Sequence, residues 1–238
     1  MGFRDQARRP LLLLLLLIVP TYTITRSIAI TLPTPRQIGL PGGILIDTTM
    51  RAIHGAVMAG IAIAFVTALC GVFVMGSVLS GDRRLVIAGY RPSEAVSARV
   101  AVLGTETALV VAVSMLVTAF SFTPASWLPF IAGAGLIGLM YAAIGALVGA
   151  IFDKLAATYL ILFLAFTDLG IVQNPMFGDG TPDGWAAALP GYGPSRVMID
   201  GSFSETFHAT GGLWLALAWV VVIGAYVALV LRREVQAD

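Results

Sequence analysis

The side chains able to do chemistry are few and far apart. The 238-residue chain holds one lysine, Lys154, one cysteine, Cys70, and two histidines, His54 and His208. A phosphate-binding loop needs Gly-x-x-x-x-Gly-Lys-Ser/Thr, and no such run surrounds Lys154. ATP hydrolysis by that route is excluded. Gly133-Ala134-Gly135-Leu136-Ile137-Gly138 has the letters of a dinucleotide fingerprint. It lies in an apolar run, with no strand before it and no acidic residue at the expected offset. It reads instead as small residues that let helices approach, and Gly145 and Gly149 repeat that spacing. The two histidines lack a second ligand at helical spacing, whereas a metal site needs three or four. Ser77 and Ser80 do not form a serine elbow, and no histidine shares their depth. Cys70 cannot form an internal disulfide and reads as a small apolar side chain.

Three ionisable residues stand inside or at the edge of apolar stretches: Arg26, Glu106 and Asp168. Each is costly in hydrocarbon and is normally paired or wet. At 1.5 Å per residue, Arg26 and Asp168 lie roughly 24 Å and 18 Å along their stretches, so both approach the same face. An ion pair between them is expected if the two stretches pack together. Glu106 is expected roughly 10 Å from the other face, on nearly the same helix side as Arg99. These three could line a substrate or ion pathway. They could equally be satisfied interhelical pairs or snorkel to an interface.

The elements that must position these groups follow from composition. Apolar residues make up 58% of the chain and charged residues 11%, against about 25% charged in soluble domains. With a mean hydropathy of +0.92, the chain reads as a multi-pass membrane protein. A disordered chain, a disulfide-stapled secreted fold and a typical cytosolic enzyme are excluded. The net charge of +1 recruits no nucleic acid. Six stretches could cross a bilayer: 10–30, 52–79, 100–122, 128–152, 156–172 and 212–231. The expected fold is all-α, with no separate soluble domain. The first stretch, with its basic start and nine-residue apolar core, also fits a secretory signal peptide. Its removal would not invert the other five.

Ten of the 14 Lys and Arg residues then share one side: Arg4, Arg8, Arg9, Arg83, Arg84, Arg91, Arg99, Lys154, Arg232 and Arg233. Arg26, Arg36, Arg51 and Arg196 fall on the other. The larger set marks the cytoplasm, so both termini are expected there. The basic stub 1–9 could lie in the headgroups or stay solvated. Residues 31–50 are expected to form an outer loop rich in Pro and Gly, and Phe152-Asp153-Lys154 a tight inner turn. The outer segment 173–210 holds two short apolar pieces, around Trp185–Leu189 and Ser195–Ile199. Both are too short to span and suit re-entrant helices.

The cytoplasmic segment 81–98 begins Gly81-Asp82-Arg83-Arg84-Leu85-Val86-Ile87 and turns at Gly89 to Pro92, with Ser93 a plausible helix cap. A charged rim around a short apolar patch suits docking by a cytoplasmic partner. An ordinary loop on the headgroups is the plainer alternative.

The order of these features resembles the permease subunits of type-2 ABC exporters, the group that includes daunorubicin-resistance-type permeases. The resemblance rests on the basic stub before the first span and on Pro41-Gly42 before the second. Asp82-Arg83-Arg84-Leu85 with Arg91-Pro92-Ser93 is similar to the family's coupling loop. Pro182-Asp183-Gly184-Trp185 through Leu189-Pro190 to Pro194-Ser195-Arg196 is similar to its segment before the last span, with Gly-Pro where the family has Asn-Pro.

The resemblance covers essentially the whole chain. It implies a six-helix subunit in the cytoplasmic membrane of a prokaryote, paired with a second permease subunit, identical or related, and surrounded by lipid. Two separate ATPase subunits would hold ATP and Mg2+, so this chain would bind no cofactor and would not be an enzyme by itself. Asp82, Arg83, Arg84, Leu85, Val86 and Arg91 would contact the motor. Trp185, Pro190, Tyr192, Pro194 and Arg196 would belong to an outer lid. The cargo would be hydrophobic or amphipathic. An ion-coupled secondary transporter using Glu106 and Asp168 is the alternative; it predicts an internal repeat, and none is visible.

Overall fold

The computed structural model describes residues 10–87, 92–177 and 184–236. Seven α-helices and one β-hairpin appear among them. Helix α1 covers Pro10–Ile30, followed by strands β1 (Pro35–Leu40) and β2 (Ile44–Thr49). Helices α2 (Met50–Ile87), α3 (Pro92–Ala119), α4 (Trp127–Ile151) and α5 (Lys154–Ala165) come next. A π-helical stretch, Phe166–Val172, continues α5. A 3-10 turn at Gly184–Ala188 then leads to α6 (Tyr192–Phe203) and α7 (Thr210–Gln236).

Among the described residues, five apolar helical stretches are long enough to cross a membrane: Met50–Met75, Val96–Ala119, Trp127–Ile151, Lys154–Val172 and Thr210–Arg233. A sixth apolar stretch, Leu16–Ile30, is shorter. The chain is thus mostly helical and suited to a bilayer. Its exposed side chains agree, because α5 and α7 show Tyr159, Phe163, Trp214 and Val221 to the outside. Large apolar side chains exposed in this way fit lipid or a protein partner rather than water.

The core forms where α2 meets α4. Over their most apolar stretches α2 is 78% buried and α7 only 11%, so α2 is the central helix. The two backbones approach because glycine removes the side chain at the crossing. A Cβ at Gly145 of α4 would overlap the carbonyl oxygen of Ala68, and one at Gly71 would overlap that of Ala142. This is the packing expected from the small-residue spacing.

The expected all-α fold is corrected by the hairpin at 35–49. Its register pairs Gln37 with Asp47 and Ile38 with Ile46, and the Gln37 amide donates to Asp47 Oδ1 at 3.1 Å. Pro41-Gly42 makes the turn, closed by Gly43 N donating to Leu40 O at 3.2 Å. Gly42 has φ +86°, as the third residue of a Pro-Gly turn requires. Ile38 and Leu40 pack with Ile53 and Val57 of α2 and Ile199 of α6.

Two further expectations change. Residues 81–87 are not loop: they continue α2, and α3 begins at Pro92. Asp, Arg and Leu tolerate helix well enough to continue one already nucleated upstream. The stretch 156–172 is not uniformly α-helical, since its end loosens to the π form at Phe166. At the turn between α4 and α5, Asp153 accepts from the amides of Leu155 and Ala156 at 3.0 and 3.1 Å, an N-cap.

Candidate functional site

One end of the molecule gathers the hairpin, the 119–127 connection and, of the segment 173–209, the described residues 173–177 and 184–209. Arg36 Nη2 donates to Met176 O at 3.1 Å. The amides of Ala125 and Ser126 donate to the carbonyls of Ser202 and Gly201 at 3.0 and 2.8 Å, satisfying the end of α6. Helix α6 folds back into the body, with Gly193 through Ser202 all buried. It packs against α4 and α7. Trp185 is exposed, Pro190 and Tyr192 are half-buried, and Pro194 and Arg196 are buried. The expected lid residues therefore share one neighbourhood. The apolar piece expected around Trp185 is a 3-10 turn, and the one expected at Ser195–Ile199 is the middle of α6. Pro182 and Asp183 lie outside the described residues.

Asp168 is the first of two carboxyls that knit this end together. It is 4% exposed. Its Oδ2 accepts from the Tyr141 hydroxyl at 2.7 Å and from the Gly191 amide at 2.9 Å. Its Oδ1 accepts from Gln173 Nε2 at 3.1 Å. The same Gln173 nitrogen donates to Ala186 O at 3.2 Å. One carboxyl thus ties α4, the π stretch, the 3-10 turn and the start of α6. The π form suits the site, because Gln173 N bonds back to Asp168 O, five residues earlier, at 2.8 Å. Position 191 must be glycine for this contact, since a Cβ there would lie 2.6 Å from Asp168 Oδ2.

The expected Arg26–Asp168 pair does not form. Arg26 is exposed on α1, which packs mainly on α2 and α3. Asp168 is satisfied by neutral donors instead. Glu106 is buried on α3 and lies within hydrogen-bonding reach of Cys70 on α2. Arg26, Glu106 and Asp168 do not converge on one site.

Asp200 is the second carboxyl, and it is fully buried. Its Oδ2 accepts from the amides of His208 and Ala209 at 2.7 and 3.0 Å, capping the approach to α7. His208 Nδ1 lies 3.4 Å from Oδ1. Arg196 precedes Asp200 by one helical turn and is 6% exposed. Its Nη2 donates to Gly39 O in β1 at 3.3 Å, while Nη1 is buried without a partner. Burial pulls the Arg196 pKa below its usual value, and Tyr192 and Asp200 pull it back up. The guanidinium remains charged throughout the physiological range.

Tyr141, Gln173, Gly191 and Asp200 carry little signal in the sequence: a tyrosine inside an apolar span is the one visible sign. Asp200 stands at i+4 from Arg196, but that spacing matters only once the segment is known to be helical.

The other expected site lies far from this end. Asp82, Arg83, Arg84, Leu85 and Val86 fall in the last turns of α2. Arg91 and the basic stub with Arg4, Arg8 and Arg9 lie outside the described residues. A helix of 38 residues is about 57 Å long, nearly twice the roughly 30 Å hydrocarbon layer. With Met50 beside the hairpin, the Asp82–Val86 backbone lies at the far end of α2. The chain matches no protein-family model, no curated protein and no solved structure.

Proposed function

We propose that this chain is the membrane-spanning permease subunit of an ATP-driven exporter of the type-2 ABC kind. The observation that carries the reading is α6, a short buried helix between the last two long apolar helices, folded back against α4 and α7. It fits the re-entrant outer lid that the resemblance implies. In this reading α1 is a sixth crossing, and both termini lie in the cytoplasm. Two permease subunits, of one or two kinds, enclose a path for a hydrophobic or amphipathic cargo across a prokaryotic cytoplasmic membrane. The chain itself holds no ATP; two partner subunits bind ATP with Mg2+.

The mechanism follows from α2. Its cytoplasmic end is a helical extension, so a motor gripping Asp82 to Val86 moves a rod rather than a slack loop. Helix α2 packs on α4, on the π stretch and on α6. A tilt imposed at one end therefore reaches the Asp168 junction at the other. Closure of the ATPase pair would tilt α2, and the lid would shift with it. This is a rigid-body coupling between two packed arrangements.

The test is co-purification from the native membrane in mild detergent. An ATPase subunit should accompany the wild-type chain and be lost with Arg84→Glu and Leu85→Asp. Recovery of the intact chain alone would overturn the reading. A second reading, an ion-coupled transporter, draws on the burial of Glu106 and Asp168, both 4% exposed in apolar helices. It requires transport to collapse with a protonophore and with Glu106→Gln.

A further inference from the structure

Helix α1 has two unlike sides. Leu16, Ile24 and Ile28 are buried in the core, where α1 meets α2 and α3. On the other side Leu14, Leu17, Ile18 and Tyr22 are each more than half exposed, and Arg26 follows one turn after Tyr22, also exposed. Residues four apart stack along a helix, so Ile18, Tyr22 and Arg26 form one outward stripe. Along the axis Arg26 lies about 18 Å from Leu14, close to the roughly 15 Å depth of one leaflet. A tyrosine just before it suits that boundary.

Among the described residues, Arg26 makes no hydrogen bond or ion pair. A guanidinium on an apolar membrane face is costly until it reaches an anion or water. The end of α1 brings in a second one. Arg51, exposed at the start of α2, donates Nε to Thr31 O at 2.9 Å, five residues beyond Arg26. That bond uses one of its five N–H donors. Arg36 adds a third exposed cation on the hairpin, whose one carboxylate, Asp47, accepts from Gln37. Positive charge at the end of an apolar stripe complements a phospholipid, with phosphate at the cations and an acyl chain along the stripe. A guanidinium fork matches a phosphate through paired bonds. Three arginines repel a headgroup ammonium, so an anionic headgroup fits better than a zwitterionic one.

We propose that α1 and the start of α2 bind an anionic phospholipid, its phosphate on Arg26 and Arg51 and an acyl chain along Leu14, Ile18 and Tyr22. The proposal does not depend on the exporter reading, because any membrane protein presenting this side of α1 to lipid would hold the same site.

The test uses the full chain, purified and stripped of lipid in an uncharged sugar detergent. It is titrated with dioleoylphosphatidylglycerol and, separately, with dioleoylphosphatidylcholine, and bound lipid is counted by native mass spectrometry. The anionic lipid is expected to saturate one site at a concentration about tenfold lower than the zwitterionic one. Arg26→Gln and Arg51→Gln should each raise that concentration about tenfold, the loss expected for a charged hydrogen bond. Arg232→Gln removes the same charge from an exposed position at the far end of α7 and should leave it unchanged. Equal uptake of the two lipids, wild-type binding by Arg26→Gln, or an equal loss in Arg232→Gln overturns the proposal. So does a change from dimer to monomer in Arg26→Gln with lipid uptake unaltered, which would put a second copy against α1. If Arg51→Gln fails to fold, Arg26→Gln decides, since its removal breaks no bond among the described residues.

Discussion

Asp168 and Asp200 are both buried carboxyls at the same end of the molecule, yet they close different junctions. Asp168 is filled from within: a phenol, an amide side chain and a backbone amide meet its two oxygens. Asp200 serves two backbone amides at the entry to α7 and lies one turn beyond Arg196. The contrast lies in what each one holds: a carboxyl saturated by neutral donors staples three segments to one another, whereas one that accepts from two consecutive amides closes a single entry to a helix.

The largest expected effect breaks the staple. Asp168→Ala would leave three buried donors unmatched and should cost about 3 kcal/mol or more of stability, read by denaturant unfolding in detergent. A loss below about 1 kcal/mol would mean that these bonds are not what holds this junction. Next comes Gly191→Ala, whose Cβ collides with the Asp168 carboxyl. Overpacking of this kind costs roughly 1–3 kcal/mol, and thermal unfolding should register it as a lowered midpoint. Tyr141→Phe removes one donor and leaves the ring in place, so about 1 kcal/mol is expected. Asp200→Ala removes a cap and should also cost about 1 kcal/mol, with hydrogen exchange rising at His208 and Ala209 and not at Gly191. Faster exchange at Gly191 would show that the two junctions are coupled rather than separate. The smallest effect belongs to Thr206→Ala, an exposed partner of His208. Its unfolding free energy should stay within about 0.5 kcal/mol of the parent's.

Much of the fold is legible in the sequence. The expected stretch 128–152 is α4 within a residue, and Asp153 marks the turn after it. Gly145 shows the close helix crossing, because small residues at that spacing have few other uses inside an apolar span. The hairpin is harder to see: Pro33, Pro35, Pro41 and two glycines look like a loop, and Ile38 and Leu40 become strand residues by docking on α2 and α6. The π form at Phe166 has no local signature either, and its bonds are supported by residues 141 and 191. Counting residues brings Arg26 and Asp168 toward one face but not into one neighbourhood, because packing order does not follow from counting. The Asp82–Val86 stretch looks like loop by charge, yet it continues a helix already formed.

Read along the chain alone, hydropathy and spacing specify an apolar, mostly helical protein suited to a membrane, and where most of its long helices run. Hydropathy and residue spacing are local quantities, so they are complete along the chain. Only the tertiary structure decided which groups satisfy the buried polar atoms. Asp168 takes its donors from positions 141, 173 and 191, and Arg196 finds its carbonyl at position 39. A buried polar group must be matched wherever a partner can be brought. That partner is chosen by how helices pack, which no stretch of the chain contains alone.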